Sequence, residues 1–116
     1  MAAENRQREV QRSNAEACPV VNSMRVIGET WRLNVLYALR DGEMRFNELK
    51  RATNARSRTL SQTLETLMDH GLVERRSEEA APIAVYYSLT EKGAALGPVF
   101  DDLEAWADEW LDAEWP

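Results

Sequence analysis

The chain has 116 residues, 44% of them apolar, and 20 acidic against 14 basic side chains give it a net charge of −6; that suffices for one domain with its own core and is too little for two. No apolar run reaches the roughly 18 residues of a membrane helix and the N-terminus is polar, which predicts a cytoplasmic protein with neither a transmembrane span nor a secretory signal. One cysteine and one histidine leave no intrachain disulfide and no ordinary structural zinc site; with no glycine-rich phosphate loop, and only His70 as a base for a serine nucleophile, the residues predict no metal, no cofactor and no enzyme.

Residues 1–17 are polar and charged, which predicts a flexible N-terminal arm, or a helix ordered only by a partner, whose Arg6, Arg8 and Arg12 could touch phosphates. From Cys18 and Pro19 the apolar residues Val20, Val21, Met24 and Ile27 recur at helical spacing, with Pro19 suited to the first turn and Gly28 to the end. From Thr30, Trp31, Leu33, Val35, Leu36, Tyr37 and Leu39 cover nearly the whole circumference of a second helix before Gly42 stops it, so that helix is central and Trp31 is a core anchor.

Between Arg45 and Arg76 the pattern is helix, turn, helix. Phe46, Leu49 and Ala52 make a short apolar stripe, and Thr53 to Arg56 is too short for anything but a turn. Leu60, Leu64, Leu67 and Met68 then form the buried stripe of a longer helix, with Ser57 as N-cap and Gly71 after His70 as the stop. Arg58, Gln62, Glu65 and Asp69 fall on its opposite side, flanked by Thr59 and Thr66. Between residues 45 and 62 five bases (Arg45, Lys50, Arg51, Arg56, Arg58) face one acid, Glu48, a local charge of +4 in an acidic chain. A solvated face is the plain alternative for such a run. The acidic background favours contact with double-stranded DNA, with Arg58, Thr59, Ser61 and Gln62 in the major groove and Arg45, Lys50, Arg51, Arg56 and Ser57 near phosphates.

Two strand-like runs, Leu72 to Arg76 and Val85 to Leu89, then flank an eight-residue SEEAAPIA link, the pattern of a β-hairpin. A hairpin directly after a helix-turn-helix is a wing, placing Arg75 and Arg76 near the DNA backbone, although Glu78 and Glu79 at its tip have the wrong sign. Thr90 and Glu91 read as the cap of a long helix over about 91–112, on which Leu96, Val99, Phe100, Leu103, Trp106, Ala107, Trp110 and Leu111 make one stripe. Residues 91–116 hold eight acids against Lys92 alone, so the other face is anionic and avoids DNA. A terminal stripe with two indoles suits a dimer interface, with Val20, Met24 and Ile27 of another copy as its complement. The expected fold is mainly α with a small β-hairpin: a winged helix-turn-helix domain over 18–116 with long N- and C-terminal dimerisation helices.

Cys18-Pro19-Val20, Gly28-x-x-Trp31, Leu39-x-x-Gly42, Arg45-Phe46-Asn47-Glu48-Leu49, Thr59-Leu60-Ser61-Gln62-x-Leu64, Gly71-Leu72-Val73 and Tyr87-Ser88-Leu89-Thr90-x-x-Gly93 occur in this order. In these strings the chain resembles the HxlR-type transcription regulators from about Cys18 to Trp110. The resemblance implies a homodimer, joined through its terminal helices, that binds a palindromic operator and represses or activates transcription. It also makes Cys18 a candidate sensor of oxidants or electrophiles. Thr30, where such proteins often carry lysine, and the acidic wing tip depart from the pattern. Two lysines against 12 arginines, with 15 alanines and 20 acids, further resemble a haloarchaeal protein, which implies monovalent counter-ions on the acidic surface. The rival function is a winged-helix protein-interaction module that never touches DNA; Arg56 and Arg58 at the start of the recognition helix argue against it. A small-molecule effector is not legible in the residues.

Overall fold

A computed structural model describes residues 18–80 and 82–112; the expected N-terminal arm with its three arginines lies outside them. Helix α1 (Pro19–Ile27) has its proline in the first turn and Cys18 as an extended N-cap. It ends at Gly28, whose N–H donates to the Met24 carbonyl. Helix α2 (Thr30–Ala38) starts where the Glu29 carboxylate accepts from the N–H groups of Trp31 and Arg32, both at 3.1 Å. One 3-10 turn (Leu39–Asp41) tightens its end before Gly42, at φ 140°, redirects the chain into a conformation that side chains oppose.

Strand β1 (Met44–Arg45) leads into α3 (Phe46–Thr53), and a turn with Asn54 in the left-handed region joins α3 to α4 (Ser57–Asp69). Strands β2 (Val73–Glu78) and β3 (Ala84–Leu89) form the hairpin, paired antiparallel from Val73 opposite Leu89 to Glu78 opposite Ala84. β1 adds to the other edge of β3, with Met44 opposite Tyr87, so the sheet order is β1-β3-β2. The hairpin therefore exists as expected, and the third strand was not anticipated. Two residues carry no alternation that could betray a strand; only their pairing with β3 makes them one.

The core lies between α2, α3 and α4. Leu36, Leu49, Leu60 and Leu67 are fully buried, and Ile27, Val35, Leu39, Ala55, Leu64, Leu72, Val73 and Phe100 complete the cluster. Trp31 is half-buried against it, as a core anchor should be. Each such leucine contributes about 1.5–3 kcal/mol by leaving water, and those on α4 fix which side of that helix remains outside.

Several expectations need correction. On α3 the inward residues are Leu49 and Thr53, with Ala52 exposed; the Thr53 hydroxyl donates to the Leu49 carbonyl at 2.7 Å and so is buried at little cost. The long C-terminal helix is in fact two, α5 (Glu91–Ala94) and α6 (Gly97–Trp110), because Pro98 has no N–H to continue the ladder from α5. Leu111 lies just beyond α6 as its C-cap. Ile27 and Phe100, expected at a dimer interface, are buried in the chain's own core, where the Phe100 ring meets Tyr37 edge-on at 5.9 Å between centroids. Thr90 caps α5 as expected, its side chain accepting from the Gly93 N–H.

Candidate nucleic-acid interface

The recognition helix is shaped from both ends. Asn54 in the left-handed conformation, followed by the buried Ala55, turns the chain between α3 and α4. The N-cap is Arg56 with extended backbone and no side-chain bond, and Ser57 is the first helical residue, so the expected serine cap is displaced by one position. The first-turn N–H groups of α4 therefore have no capping side chain, and the positive end of the helix faces outward beside Arg56 and Arg58. At the other end Asp69 is the last helical residue, and Gly71 at φ 72° ends the run as expected.

Burial sorts the helix into two faces. Leu60, Thr63, Leu64 and Leu67 are buried, with Met68 half-buried beside them. Arg58, Ser61, Gln62, Glu65 and Asp69 are exposed, and Thr59 is half-buried at the boundary. Arg45, Lys50, Arg51 and Arg56 are exposed on α3 and at the two helix starts. The Glu48 carboxylate, the one acid among them, accepts from the Arg45 N–H at 3.1 Å and so is spent on holding the start of α3.

Two amides that the charge pattern does not single out belong to the same surface. Asn47 and Asn54 line, with Lys50, Arg51 and Ala55, a concavity of about 350 Å³. A larger one of about 580 Å³ runs between α3 and the hairpin, lined by Arg45, Phe46, Asn47, Glu48, Arg51, Ile83 and Val85. The signal for Asn47 was local, since it precedes Lys50 and Arg51 by three and four residues and so shares their face. Asn54 belongs to the same rim only because of the turn it makes.

On the hairpin Arg75 is exposed, but Arg76 is committed within the chain. Its guanidinium donates to Glu78 at 2.8 Å and to both carboxylate oxygens of Glu43 at 2.9 and 3.1 Å, and it lies 4.6 Å from the Tyr86 ring centroid. The hydrogen bond to Glu78, then that to Glu43, holds its pKa above the ordinary arginine value. Arg76 is thus a tie between the hairpin and the loop ahead of β1, with its charge already shared with two acids, a commitment that weakens it as a DNA contact. The same tie corrects the wing tip, since Glu78 is a strand residue beside a cation and Glu79 is the acid that follows it.

Of the expected partner-facing residues, Val20, Met24, Val99, Leu103, Trp106 and Trp110 remain exposed, Trp106 at 56% and Trp110 at 67%. Val99, Leu103, Trp106 and Trp110 stand at spacings of four, three and four along α6, one continuous seam that none of the described residues covers. Leu96 is half-buried against the core. Cys18 is half-buried at the start of α1. The α1 end is held by Arg32, which donates to the Arg25 and Val26 carbonyls at 3.2 and 3.0 Å.

The family model for the HxlR-like helix-turn-helix matches residues 26–115. The chain belongs to the HxlR-like helix-turn-helix family. Among its relatives, the HTH-type transcriptional regulator YvaP of Bacillus subtilis is 33% identical over 102 residues, covering 86% of this chain and 94% of YvaP. The HTH-type transcriptional regulator YodB of the same organism is 35% identical over 97 residues, covering 82% of this chain and 87% of YodB. The solved reduced form of YodB matches with a TM-score of 0.74 at 34% identity, over 82% of this chain and 95% of that one. The oxidized form of the redox regulator HypR matches with a TM-score of 0.73 at 35% identity, over 83% and 100% of the two chains. In this HxlR-like protein, α3 and α4 are therefore the helix-turn-helix, and β2 with β3 is the wing.

Proposed function

We propose that this HxlR-like protein is a cytoplasmic, sequence-specific DNA-binding transcription regulator that acts as a homodimer on a palindromic operator. One observation carries the reading: the exposed start of the recognition helix is basic in a chain of net charge −6, while the acids of α6 (Asp101, Asp102, Glu104, Asp108 and Glu109) are exposed on another element. A basic patch kept apart from the acids suits a polyanion such as the DNA backbone, whose phosphates attract it and would be repelled by α6. Arg58, Ser61 and Gln62 read base edges, with Thr59 at the margin; Arg45, Lys50, Arg51, Arg56, Ser57 and Arg75 hold the backbone. Arg58 suits guanine and Gln62 adenine, each bidentate pair being worth roughly 1–3 kcal/mol of discrimination. In a binding selection, Gln62→Ala is expected to lose preference at one position of each half-site and Arg58→Ala at another. Unchanged affinity and preferred sequence in both variants would reject the groove assignment.

Oxidant or electrophile control through Cys18 belongs to the same proposal. It is supported by the half-buried thiol at the start of α1 and by the likeness to proteins solved as reduced YodB and oxidized HypR. Oxidant treatment is expected to change operator affinity in the wild type and leave it unchanged in Cys18→Ser, as read by fluorescence anisotropy. The same response in both proteins removes Cys18 from the mechanism.

The acid-rich composition supports monovalent counter-ions on the surface and tolerance of concentrated salt. The Debye length shrinks to about 3 Å at 1 M, which relieves repulsion between the surface acids and DNA. Specific binding is expected to survive molar potassium chloride. A titration showing the steep loss of a protein with six or more phosphate contacts would contradict this part alone.

A further inference from the structure

The motif Thr90-x-x-Gly93 has no place among the DNA contacts, yet it is tied directly to the recognition helix. Three consecutive carbonyls just past the end of α4 each accept a hydrogen bond from the opening of α5. Lys92 Nζ donates to His70 at 2.7 Å, the Thr90 hydroxyl to Gly71 at 2.5 Å and the Thr90 N–H to Leu72 at 3.1 Å. Helix carbonyls at a C-terminus lack partners within the helix and carry its negative end, so an ammonium is the best donor available there. Lys92 is the one base among residues 91–116, which hold eight acids. Its charge is placed on a backbone carbonyl of another element.

The two chains of atoms are also in close contact. A Cβ added at Gly93 would come within 2.2 Å of the Leu72 carbonyl oxygen, so glycine is what permits the approach. From there the hydrogen bonds run on without a gap: Ala95 N–H to Glu91, Leu96 N–H to Gly93 and Phe100 N–H to Leu96. Phe100 is then locked against Tyr37 of α2. No slack remains between the end of the recognition helix and the start of α6, whose exposed seam begins at Val99.

We propose that the Thr90–Gly93 turn is the joint that fixes the recognition helix relative to the C-terminal helix, and that Lys92 and Thr90 are its positioning residues, setting the operator half-site spacing. This rests on the reading of the protein as a DNA-binding dimer. If two copies meet along α6, the separation of their recognition helices is set by the angle between α6 and α4. The turn holds that angle. Neither side chain needs to touch DNA or the partner.

The test is a series of duplexes whose half-sites stand at the selected spacing or are moved apart by one or two base pairs, bound by wild type, Lys92→Met, Lys92→Arg, Thr90→Ala and Thr90→Ser. One base pair adds about 3.4 Å and roughly a tenth of a turn, so the wild type is expected to lose roughly tenfold in affinity per inserted pair. Lys92→Met, which keeps the stem and removes the ammonium, is expected to flatten that penalty to roughly threefold, as is Thr90→Ala, while Lys92→Arg and Thr90→Ser restore most of it. The ratio between duplexes cancels the uniform effect of a lost positive charge, which a merely electrostatic role would produce. Lys92 is exposed, so its variants are expected to fold; circular dichroism and sedimentation confirm fold and mass, and the Thr90 pair gives the second reading. Wild-type spacing profiles in both Lys92→Met and Thr90→Ala overturn the proposal, as does a wild type indifferent to spacing. A wild type that binds no duplex rejects the DNA-binding reading itself and this inference with it.

Discussion

Glutamates at Leu103 and Trp106 together are expected to give a folded monomer whose operator affinity is lower by roughly 10²- to 10⁴-fold. Leu103 is 48% exposed and Trp106 56% exposed in the single chain, so neither side chain is needed to fill the core and the domain keeps its stability. In the homodimer proposed above, what the substitution removes is the linkage of two half-site contacts, and linked binding exceeds a single contact by roughly that factor without any new interaction. The two added charges also join acids already on the same helix, including Asp101, Asp102 and Glu104, which adds to the repulsion between two copies brought together along it. Sedimentation velocity reads the mass, a thermal melt the fold and an anisotropy titration the affinity. A variant that remains a dimer with wild-type affinity would place the partner-facing seam elsewhere.

Leu60→Ala is expected to be among the most damaging single changes on the recognition helix although the residue is buried away from the exposed face. Leu60 is fully buried in the cluster between α2, α3 and α4. Truncating a leucine in such a site costs about 2–5 kcal/mol, the lost transfer energy plus that of the cavity left behind. Small domains have only about 5–15 kcal/mol in total, so a large share of the stability goes with one side chain. The neighbouring Ser61 is exposed, and Ser61→Ala is expected to change stability by less than about 0.5 kcal/mol. Denaturant unfolding separates the two outcomes. A cost below about 1 kcal/mol for Leu60→Ala would mean that α4 is not seated on the core as described.

The two substitutions also mark what was legible in the chain and what was not. Leu60, Leu64 and Leu67 repeat at helical spacing, and the same repeat implies that Arg58, Gln62, Glu65 and Asp69 stay outside; both statements follow from a rotation of about 100 degrees per residue and need no tertiary knowledge. Gly71 after the last helical turn and Thr90 ahead of α5 are equally local, since one takes a positive φ and the other bonds an N–H three residues on. The break at Gly97 and Pro98 was local too, but the apolar spacing of Leu96, Val99 and Phe100 runs through it and masked the proline. Tertiary structure alone decided the rest. β1 is a strand because β3 offers it an edge, Ile27 and Phe100 belong to this chain's core because of the elements packed over them, and Arg76 is engaged by Glu43, 33 residues earlier. Spacing along a helix says which residues share a face; it does not say what that face meets, because the meeting depends on elements distant in the chain and on the turns that bring them together.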